Sequence, residues 1–275
     1  MSLLQVESLS KKFGGLNAVD DLSFDIQPGA VHSIIGPNGA GKTTLLNLLT
    51  GIYQPSGGRI VFGEYDLTGR APYEYAGHGI ARTFQNLQVF FNMSALENVM
   101  VGRYLHERCG LASALLRAPR LARAEKVCRD EAAELMRYVG LHSYLSVAAD
   151  AMPYGALKRL EIARALATKP KLMLLDEPAA GLNPTEALEL DDLIGRLSER
   201  GVTVVLVEHN MRLVMGVSNH ILVLDYGRKL AEGSATAIRN DPKVIEAYLG
   251  STVAHEGPVG GAITSAVAVA GETRR

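Results

Sequence analysis

The chain lacks the features of a secreted or membrane-spanning protein. It contains only two cysteines, Cys109 and Cys128, which excludes a disulfide framework and favours a reducing compartment. No segment approaches the roughly 20 consecutive apolar residues that a spanning helix needs. The first residues also lack the basic stretch and long apolar core of a signal peptide. We therefore expect a cytosolic chain whose link to any membrane runs through a partner.

A strong charge of either sign is also missing. The formal net charge is −1 at pH 7, so there is no overall basic field, and we expect no nucleic-acid partner. The 275 residues are 47% hydrophobic, which is typical of a globular protein. That length is enough for one large domain, or for one domain with a subdomain.

What the sequence does contain is a glycine-rich loop between a predicted strand at 31–35 and a predicted helix at 45–49. In such a loop, backbone N–H groups turn inward around phosphate oxygens at the positive end of the helix dipole. The pattern predicts a triphosphate site in which Lys42 reaches the outer phosphates and the Thr43 hydroxyl binds Mg²⁺. A purely structural turn is the alternative. We call this segment the phosphate loop; it consists of Gly36, Pro37, Asn38, Gly39, Ala40, Gly41, Lys42, Thr43 and Thr44.

Strand and helix signals alternate along most of the chain. Apolar runs at 171–175, 202–207 and 221–224 predict buried strands separated by helices, which indicates a parallel sheet covered on both faces. Residues from about 86 to 151 carry helical signals instead, and we interpret them as a helical subdomain inserted into an α/β core. We expect one domain over residues 1–250 and a mobile C-terminal tail over 251–275.

Local signals place several further elements. Alternating residues at 3–9 and 22–26 predict strands, and a turn cluster precedes a short strand at 59–63. Ser94 and Glu97 have the spacing of a capping box at a helix start. The helix predicted at 121–139 is followed by Gly140, which ends it.

Two adjacent carboxylates, Asp176 and Glu177, end a predicted buried strand. In a phosphate-loop protein, the first carboxylate at this position holds Mg²⁺ and the second polarises the attacking water. Taken alone, the pair is better explained as a solvated strand end. The phosphate loop reverses that preference.

These residues resemble the ATP-binding subunit of ABC transporters, and the resemblance covers residues 3 to about 250. It implies an α/β fold with a P-loop NTPase core of mostly parallel sheet, an N-terminal antiparallel β-subdomain and an inserted helical subdomain. It also implies ATP and Mg²⁺ as cofactors. By resemblance, Gln85 lies in the Q-loop and contacts Mg²⁺ and the attacking water, His209 is the switch histidine that contacts the γ-phosphate, and Glu177 is the general base.

The resemblance also assigns residues around the nucleotide. Phe13 matches the aromatic residue that stacks on adenine, with a core aromatic as the alternative, and Val19 is placed in the same ATP site. The D-loop is formed by Ala180, Gly181, Leu182 and Asn183, with Asn183 where many members carry Asp.

Within this family, the chain is most similar to the branched-chain amino-acid uptake ATPases, and to the larger of that system's two ATPase subunits. Relatives that handle urea, short amides or other amino acids look much alike. The motifs that carry the likeness include TFQN at 83–86, LENV at 96–99, LEIAR at 160–164, DEPAAGLNP at 176–184, EHNM at 208–211 and IEAYLG at 245–250.

One motif departs from the family pattern. The signature loop usually reads LSGGQ, or LSYGQ in this branch, whereas here the corresponding residues include Pro153, Tyr154, Gly155 and Ala156. Pro153 removes a hydroxyl and a backbone N–H, and Ala156 removes an amide. Loss of one such donor costs on the order of 2–4 kcal/mol of transition-state stabilisation, by analogy with an oxyanion hole. The alternative is that this branch tolerates the change.

By resemblance, the signature loop serves the nucleotide of a partner ATPase, whereas Lys42, Glu177 and His209 serve the chain's own. We therefore expect a heterodimer with a second ABC ATPase rather than a homodimer. Two membrane permease subunits and, indirectly, an external solute-binding protein complete the expected importer, with this chain peripheral on the cytoplasmic face of the inner membrane.

Three other functions remain open from the sequence. They are a lipid- or lipopolysaccharide-export ABC ATPase, a soluble ABC ATPase that works on DNA or ribosomes, and a catalytically impaired regulatory subunit. Only the altered Pro153 and Ala156 suggest the last of these.

Overall fold

A computed structural model describes residues 2–103 and 119–253 of the chain, and its strands form two sheets. In chain order, the strands are β1 (Leu4–Phe13), β2 (Leu16–Ile26), β3 (Val31–Ile35), β4 (Gly57–Phe62), β5 (Tyr65–Asp66), β6 (Ile80–Arg82), β7 (Leu172–Asp176), β8 (Thr203–Val207), β9 (His220–Asp225) and β10 (Arg228–Gly233).

The larger sheet has the strand order β10-β9-β3-β8-β7-β6. All its neighbouring strands run parallel except β10, which is antiparallel to β9. Every residue of β3, β7 and β8 is buried, because both faces of the sheet are covered. The continuous apolar runs therefore become the centre of the sheet, which confirms the predicted parallel core.

The smaller sheet is antiparallel, with the order β2-β1-β4-β5, and confirms the expected N-terminal β-subdomain. β1 and β2 extend well beyond the predicted segments at 3–9 and 22–26. Their additional residues are mostly exposed or half-buried, so no hydrophobic alternation marks them. A tight turn joins the two strands, and Gly14 adopts a φ of 57° in it.

The helices, in chain order, are α1 (Lys42–Leu48), α2 (Pro72–Gly77), α3 (Ala95–Arg103), α4 (Pro119–Tyr138), α5 (Tyr154–Ala167), α6 (Pro184–Glu199), α7 (Met211–Val217), α8 (Ala235–Arg239) and α9 (Pro242–Val253). The helical region expected between the α/β segments is present, with α3 packed on α4 and α5. Ser94 and Glu97 form the predicted capping box, in which Ser94 N donates to Glu97 Oε2 at 2.8 Å.

Three buried clusters hold these layers together. One lies between the helices α3 to α6 and one face of the large sheet, and a second fills the space between the two sheets. The third is smaller and lies under the C-terminal helices, around Ile35, Val214 and Ile238. α9 continues to Val253, three residues past the domain boundary expected at 250. The remainder of the expected tail, and Cys109, lie outside the described residues.

Within the described ranges, no helix combines the length and the apolar character needed to cross a bilayer.

Candidate functional site

The phosphate loop follows β3, as the sequence predicts, and its last three residues form the start of α1. Gly41 caps α1 with a φ of 97°, and a Cβ added there would press against the carbonyl oxygen of Ala18. Lys42 Nζ donates to the carbonyl oxygens of Gly36 at 2.7 Å and Pro37 at 3.0 Å. The lysine is therefore folded back over its own loop, where phosphate oxygens can replace the two carbonyl oxygens as its acceptors.

Two carboxylates face Lys42 from the end of β7. Burial lowers the pKa of the Lys42 ammonium, and the negative charges of Glu177 and Asp176 partly oppose this shift. Asp176 is buried, whereas the Glu177 side chain is 23% exposed. Of the two carboxylates predicted from the sequence, Asp176 therefore lies inside the protein, and Glu177 lies partly exposed just beyond the carboxyl end of β7.

Glu177 has a left-handed backbone conformation, with a φ of 47°. A non-glycine residue in this conformation costs on the order of 1–2 kcal/mol. The Glu177 N–H holds the turn by donating to the carbonyl oxygen of Val207 at 2.8 Å. This turn points the carboxylate away from the strand, where other side chains reach it.

Gln85 and His209 converge on one oxygen of Glu177. Gln85 Nε2 donates to Glu177 Oε2 at 3.0 Å, and His209 Nδ1 lies 3.7 Å from the same oxygen. The structure therefore brings together three side chains that lie far apart in the sequence. The His209 side chain remains 65% exposed, so it is accessible to a ligand.

The D-loop leads directly into α6, and Asn183 is its N-cap. Asn183 Oδ1 accepts from the N–H groups of Thr185 and Glu186, both at 3.0 Å, and Glu186 Oε2 accepts from the Asn183 N–H. Asn and Asp are equally good N-caps, so the change from the common Asp leaves the cap intact. Gly181 adopts a φ of 79° in the same loop, where Ala180 and Leu182 flank it.

The signature loop forms the start of α5. Pro153 is the N-cap residue and makes no side-chain cap, because it has no polar side chain. The exposed Tyr154 ring lies against Gly181 of the D-loop, and the Glu186 carboxylate lies against Gly155. Ala156 is buried in the helix. The first turn of α5 therefore contacts the chain's own D-loop.

Phe13 and Val19 differ sharply in their surroundings. Phe13 is 42% exposed at the end of β1, and its ring meets Tyr53 edge-on at a centroid distance of 5.3 Å. Lys11 Nζ lies 5.0 Å from the centre of the ring, and the exposed part of the ring is accessible to a ligand. Val19 is completely buried in the cluster between the two sheets, so its side chain offers no surface to a nucleotide in this arrangement.

Three polar residues of the site escaped the sequence analysis. The buried Glu208 accepts from the N–H groups of Ala179, His209 and Asn210 at 2.9, 3.1 and 3.3 Å. Arg82 pairs with Asp176, and Lys158 Nζ donates to the Gln85 carbonyl oxygen at 2.9 Å. Glu208 lies within the EHNM motif, Arg82 directly precedes the TFQN motif, and Lys158 is on the helix that begins with the signature loop. The sequence pattern does not show that these side chains are buried or which partners they bind.

The residues suggested for Mg²⁺ offer an oxygen-only donor set from Thr43, Gln85 and Asp176. Such a small set of hard donors suits Mg²⁺, which completes its coordination with water and substrate phosphates. In the described part of the chain, no group of three or more His, Cys, Asp or Glu side chains forms a metal cluster of its own.

A cleft of about 530 Å³ opens beside the Q-loop, between α2 and β6 on one side and α3 and α5 on the other. Its wall is largely apolar, with polar groups at a few points. The lining includes Ile52, Arg82, Phe84, Phe90, Val101 and Arg164.

Comparison with protein families gives two matches. A model of the ABC transporter family matches residues 19–180. A second model, described as a branched-chain amino acid ATP-binding cassette transporter, matches residues 228–254. The two matches cover the phosphate loop, the Q-loop, the signature loop and the helices α8 and α9.

Individual proteins give the same result. The chain is 45% identical over 249 residues to the high-affinity branched-chain amino acid transport ATP-binding protein LivG of Escherichia coli (strain K12), covering 90% of this chain and 98% of that protein. BraF of Pseudomonas aeruginosa, with the same description, is 44% identical over the same share.

Solved structures of ABC transporter cassettes are similar as well. A nucleotide-free ATP-binding cassette is 32% identical, with a TM-score of 0.79 and coverage of 90% of this chain and 99% of that one. A cassette in its ADP conformation is 33% identical, also with a TM-score of 0.79.

Proposed function

Because the chain belongs to the family of ABC transporter ATP-binding subunits, we propose that it hydrolyses ATP to power the uptake of branched-chain amino acids. The single observation that carries the reaction is the convergence of Gln85 and His209 on Glu177, beside the phosphate loop. The match of residues 228–254 to the branched-chain family, and the names of the relatives, support the substrate. Neither favours a lipid exporter.

In the proposed reaction, the Glu177 carboxylate accepts a proton from the attacking water. The Gln85 amide orients that water, and His209 contacts the γ-phosphate. Lys42 exchanges the carbonyl acceptors of Gly36 and Pro37 for phosphate oxygens. Bound Mg²⁺, held through Thr43, Gln85 and Asp176, would supply neutralisation of phosphate charge. Catalysis then consists mainly of positioning and electrostatic stabilisation.

The site is proposed to be completed by a second ABC ATPase. In a sandwich of two such domains, the phosphate loop of each faces the signature loop of the other. This chain has all its own phosphate-side residues, but Pro153 and Ala156 weaken what it presents to its partner. An unlike partner with a complete signature loop would leave this chain's own site fully equipped.

The cleft beside the Q-loop is the proposed docking site for the membrane permease. Phe84 and Phe90 are partly exposed in its wall, and such aromatic groups suit an apolar segment of a partner. Phe84 is followed directly by Gln85, whose amide donates to Glu177. A segment that contacts Phe84 in the cleft would therefore lie close to Glu177. In this proposal the chain lies on the cytoplasmic face of the membrane, and the permease and an external solute-binding protein deliver the amino acid.

Reconstitution of the complete transporter in proteoliposomes tests the function. The expected result is ATP-dependent uptake of radiolabelled leucine, which Glu177→Gln abolishes while ATP still binds. Uptake of urea or a short amide in place of leucine would reassign the substrate, and ATP hydrolysis without any uptake would remove transport from the function.

The same preparation tests the unlike partner. Glu177→Gln in this chain is expected to abolish transport, and the equivalent substitution in the partner to reduce it less. If only the partner's substitution abolishes transport, the asymmetry has been assigned to the wrong site.

A further inference from the structure

Arg82 is a buried arginine that the proposed reaction does not use. It ends the three-residue strand β6, where it pairs in register with Leu174 of β7. Its side chain is 5% exposed. Parallel pairing with β7 fixes its backbone two residues before the carboxylate at which β7 ends, so its position relative to Asp176 is set by the sheet itself.

The Arg82 guanidinium joins two parts of the nucleotide site. Nη2 lies 2.9 Å from Asp176 Oδ2, and Nη1 donates to Asn47 Oδ1 at 2.6 Å on α1. Nη1 also reaches Thr50 Oγ1 at 3.4 Å. The helix that follows the phosphate loop is thereby tied to the carboxylate at the end of β7.

Asp176 has no other ion-pair partner within the described ranges, because Lys42 is bonded to the carbonyl groups of its own loop. The pair with Arg82 engages only Oδ2 of the carboxylate. Oδ1 is not engaged by this pair, and it is the oxygen that would hold the Mg²⁺ of the proposed reaction. An acidic ligand depends on the group behind it for its orientation, and loss of such a group costs about 10–100-fold in metal affinity or activity.

Arg82 also reaches the cleft. It lines the cleft together with Thr83 and Phe84, and its guanidinium carbon lies 5.0 Å from the centre of the Phe84 ring. Arg82 Nε is buried and has no hydrogen-bond partner among the described residues. On the side that faces the cleft, the Arg82 guanidinium is therefore held by its contact with the Phe84 ring and not by further hydrogen bonds.

We propose that Arg82 is a positioning residue that orients Asp176 toward the metal and links this carboxylate to the Phe84 wall of the cleft. The inference rests on the proposed ATPase and deepens it. A segment that docks in the cleft and displaces Phe84 changes the packing of Arg82, and the guanidinium carries that change to Asp176.

The test uses the assembled transporter with Arg82→Met and Arg82→Lys. Two quantities are measured: the Mg²⁺ concentration for half-maximal ATP hydrolysis, and the binding of Mn²⁺ with ATP by electron paramagnetic resonance, which needs no turnover. Arg82→Met is expected to raise the half-maximal Mg²⁺ concentration and to weaken Mn²⁺ binding by about tenfold or more. Arg82→Lys keeps the charge but not the two-armed geometry, so it is expected to fall between the wild type and Arg82→Met.

Arg103→Met is the matched control. Arg103 is a buried arginine of α3 that pairs with Glu131, with Nη2 2.6 Å from Oε2, and it does not line the cleft beside the Q-loop. It is expected to leave both metal measurements unchanged. If the Arg82→Met complex does not assemble, the same measurements on Arg82→Lys and Asn47→Ala test the positioning role. Both substitutions weaken the contacts that hold residue 82, and neither places an apolar side chain against Asp176.

Unchanged metal measurements in the assembled variants would overturn the positioning role. For the link to the cleft, Phe84→Leu is combined with Arg82→Lys in a double-mutant cycle, and non-additive changes in Mn²⁺ affinity are expected. Additive changes would remove the link. A wild-type complex that binds Mn²⁺ and ATP but hydrolyses none would instead contradict the proposed function.

Discussion

At the scale of single residues, the site depends on charged groups whose roles come from their buried surroundings. Glu208 is 1% exposed, and three backbone N–H groups donate to its carboxylate. His209 Nδ1 lies 3.8 Å from its Oε2. Its two oxygens connect the peptide before the D-loop with the peptide that carries His209. The carboxylate therefore fixes the distance between two loops of the proposed reaction.

Glu208→Gln tests this connection. One oxygen becomes an NH₂ group that cannot accept, so at least one buried N–H loses its partner at a cost of about 1–3 kcal/mol. We expect stability to fall by that amount and kcat by about tenfold, with little change in ATP affinity. Urea unfolding and steady-state ATPase assays measure these effects. The exposed Glu246→Gln is the control, and a kcat equal to that of the wild type would show that Glu208 serves stability alone.

His32 provides a residue-scale prediction for acid stability. The ring is 6% exposed, and Nε2 accepts from the Gln27 N–H at 3.0 Å. Burial, together with the neighbouring His220, lowers the pKa of His32 from 6.5 to about 4. The unfolded chain therefore binds a proton at a pH where the folded chain does not, so stability falls as pH drops from about 6.5 toward 4.

The expected loss from His32 is about 2 kcal/mol between pH 7 and pH 5. His32→Gln keeps an acceptor for Gln27 but does not titrate, so its stability is expected to lack this part of the pH dependence. Urea unfolding at the two pH values measures the difference, with His78→Gln as the control. Equal losses in His32→Gln and the wild type would contradict the assignment.

At the scale of elements, the C-terminal helix α9 reaches the phosphate loop. Tyr248 packs against the cluster that contains Ile35, the last residue of β3. The Tyr248 hydroxyl is buried, with the Gly36 backbone as its hydrogen-bond partner, and burial raises the pKa of the phenol to about 12. The IEAYLG motif therefore contacts the end of β3 and the first residue of the phosphate loop through Tyr248.

Tyr248→Phe removes only the hydroxyl and leaves the ring in its cluster. A lost buried hydrogen bond of about 1 kcal/mol predicts that ATP binds roughly fivefold more weakly. Titration with a fluorescent ATP analogue measures the affinity. Tyr73→Phe, which alters an exposed ring on α2, is the control. An affinity equal to that of the control would limit α9 to a packing role.

Elements that are buried on both faces were the easiest to predict from the sequence. β3, β7 and β8 appear as uninterrupted apolar runs because nothing along them faces water. β10 was missed because its sequence, RKLAEG, is polar and half-exposed, and only its pairing with β9 makes it a strand. β6 has three residues, too few to show a period.

The site residues that the sequence reveals are likewise those that belong to a local pattern. Lys42, Asp176 and His209 belong to motifs with fixed spacing, so the sequence reveals them. Arg82 and Lys158 act through partners far away in the chain, at Asp176 and at the Gln85 carbonyl oxygen. Such pairs depend on how the layers pack, and a single sequence does not display that.

At the scale of the whole molecule, the helix α5, which begins with the signature loop, is bonded to the Q-loop. Besides the Lys158 contact with the Gln85 carbonyl oxygen, Glu161 Oε1 accepts from the Gln88 N–H at 2.8 Å. Burial raises the pKa of Glu161, and this hydrogen bond partly opposes the shift. A movement of α5 therefore pulls on Gln85, whose amide is bonded to Glu177. Two hydrogen bonds therefore join the two motifs that we propose to serve opposite nucleotides.

The altered signature loop can be tested from the partner's side. In the proposed complex with Glu177→Gln, the remaining ATP hydrolysis is expected at the partner's phosphate loop, which would face this chain's signature loop. Pro153→Ser with Ala156→Gln restores the missing donors and is expected to raise that residual rate by at least about tenfold, given 2–4 kcal/mol per donor. In the reverse control, with the partner's base disabled, the same pair of substitutions is expected to change nothing, because this chain's own site uses the partner's signature loop. An unchanged residual rate in the first complex would mean that Pro153 and Ala156 are tolerated and that the two sites are equally competent.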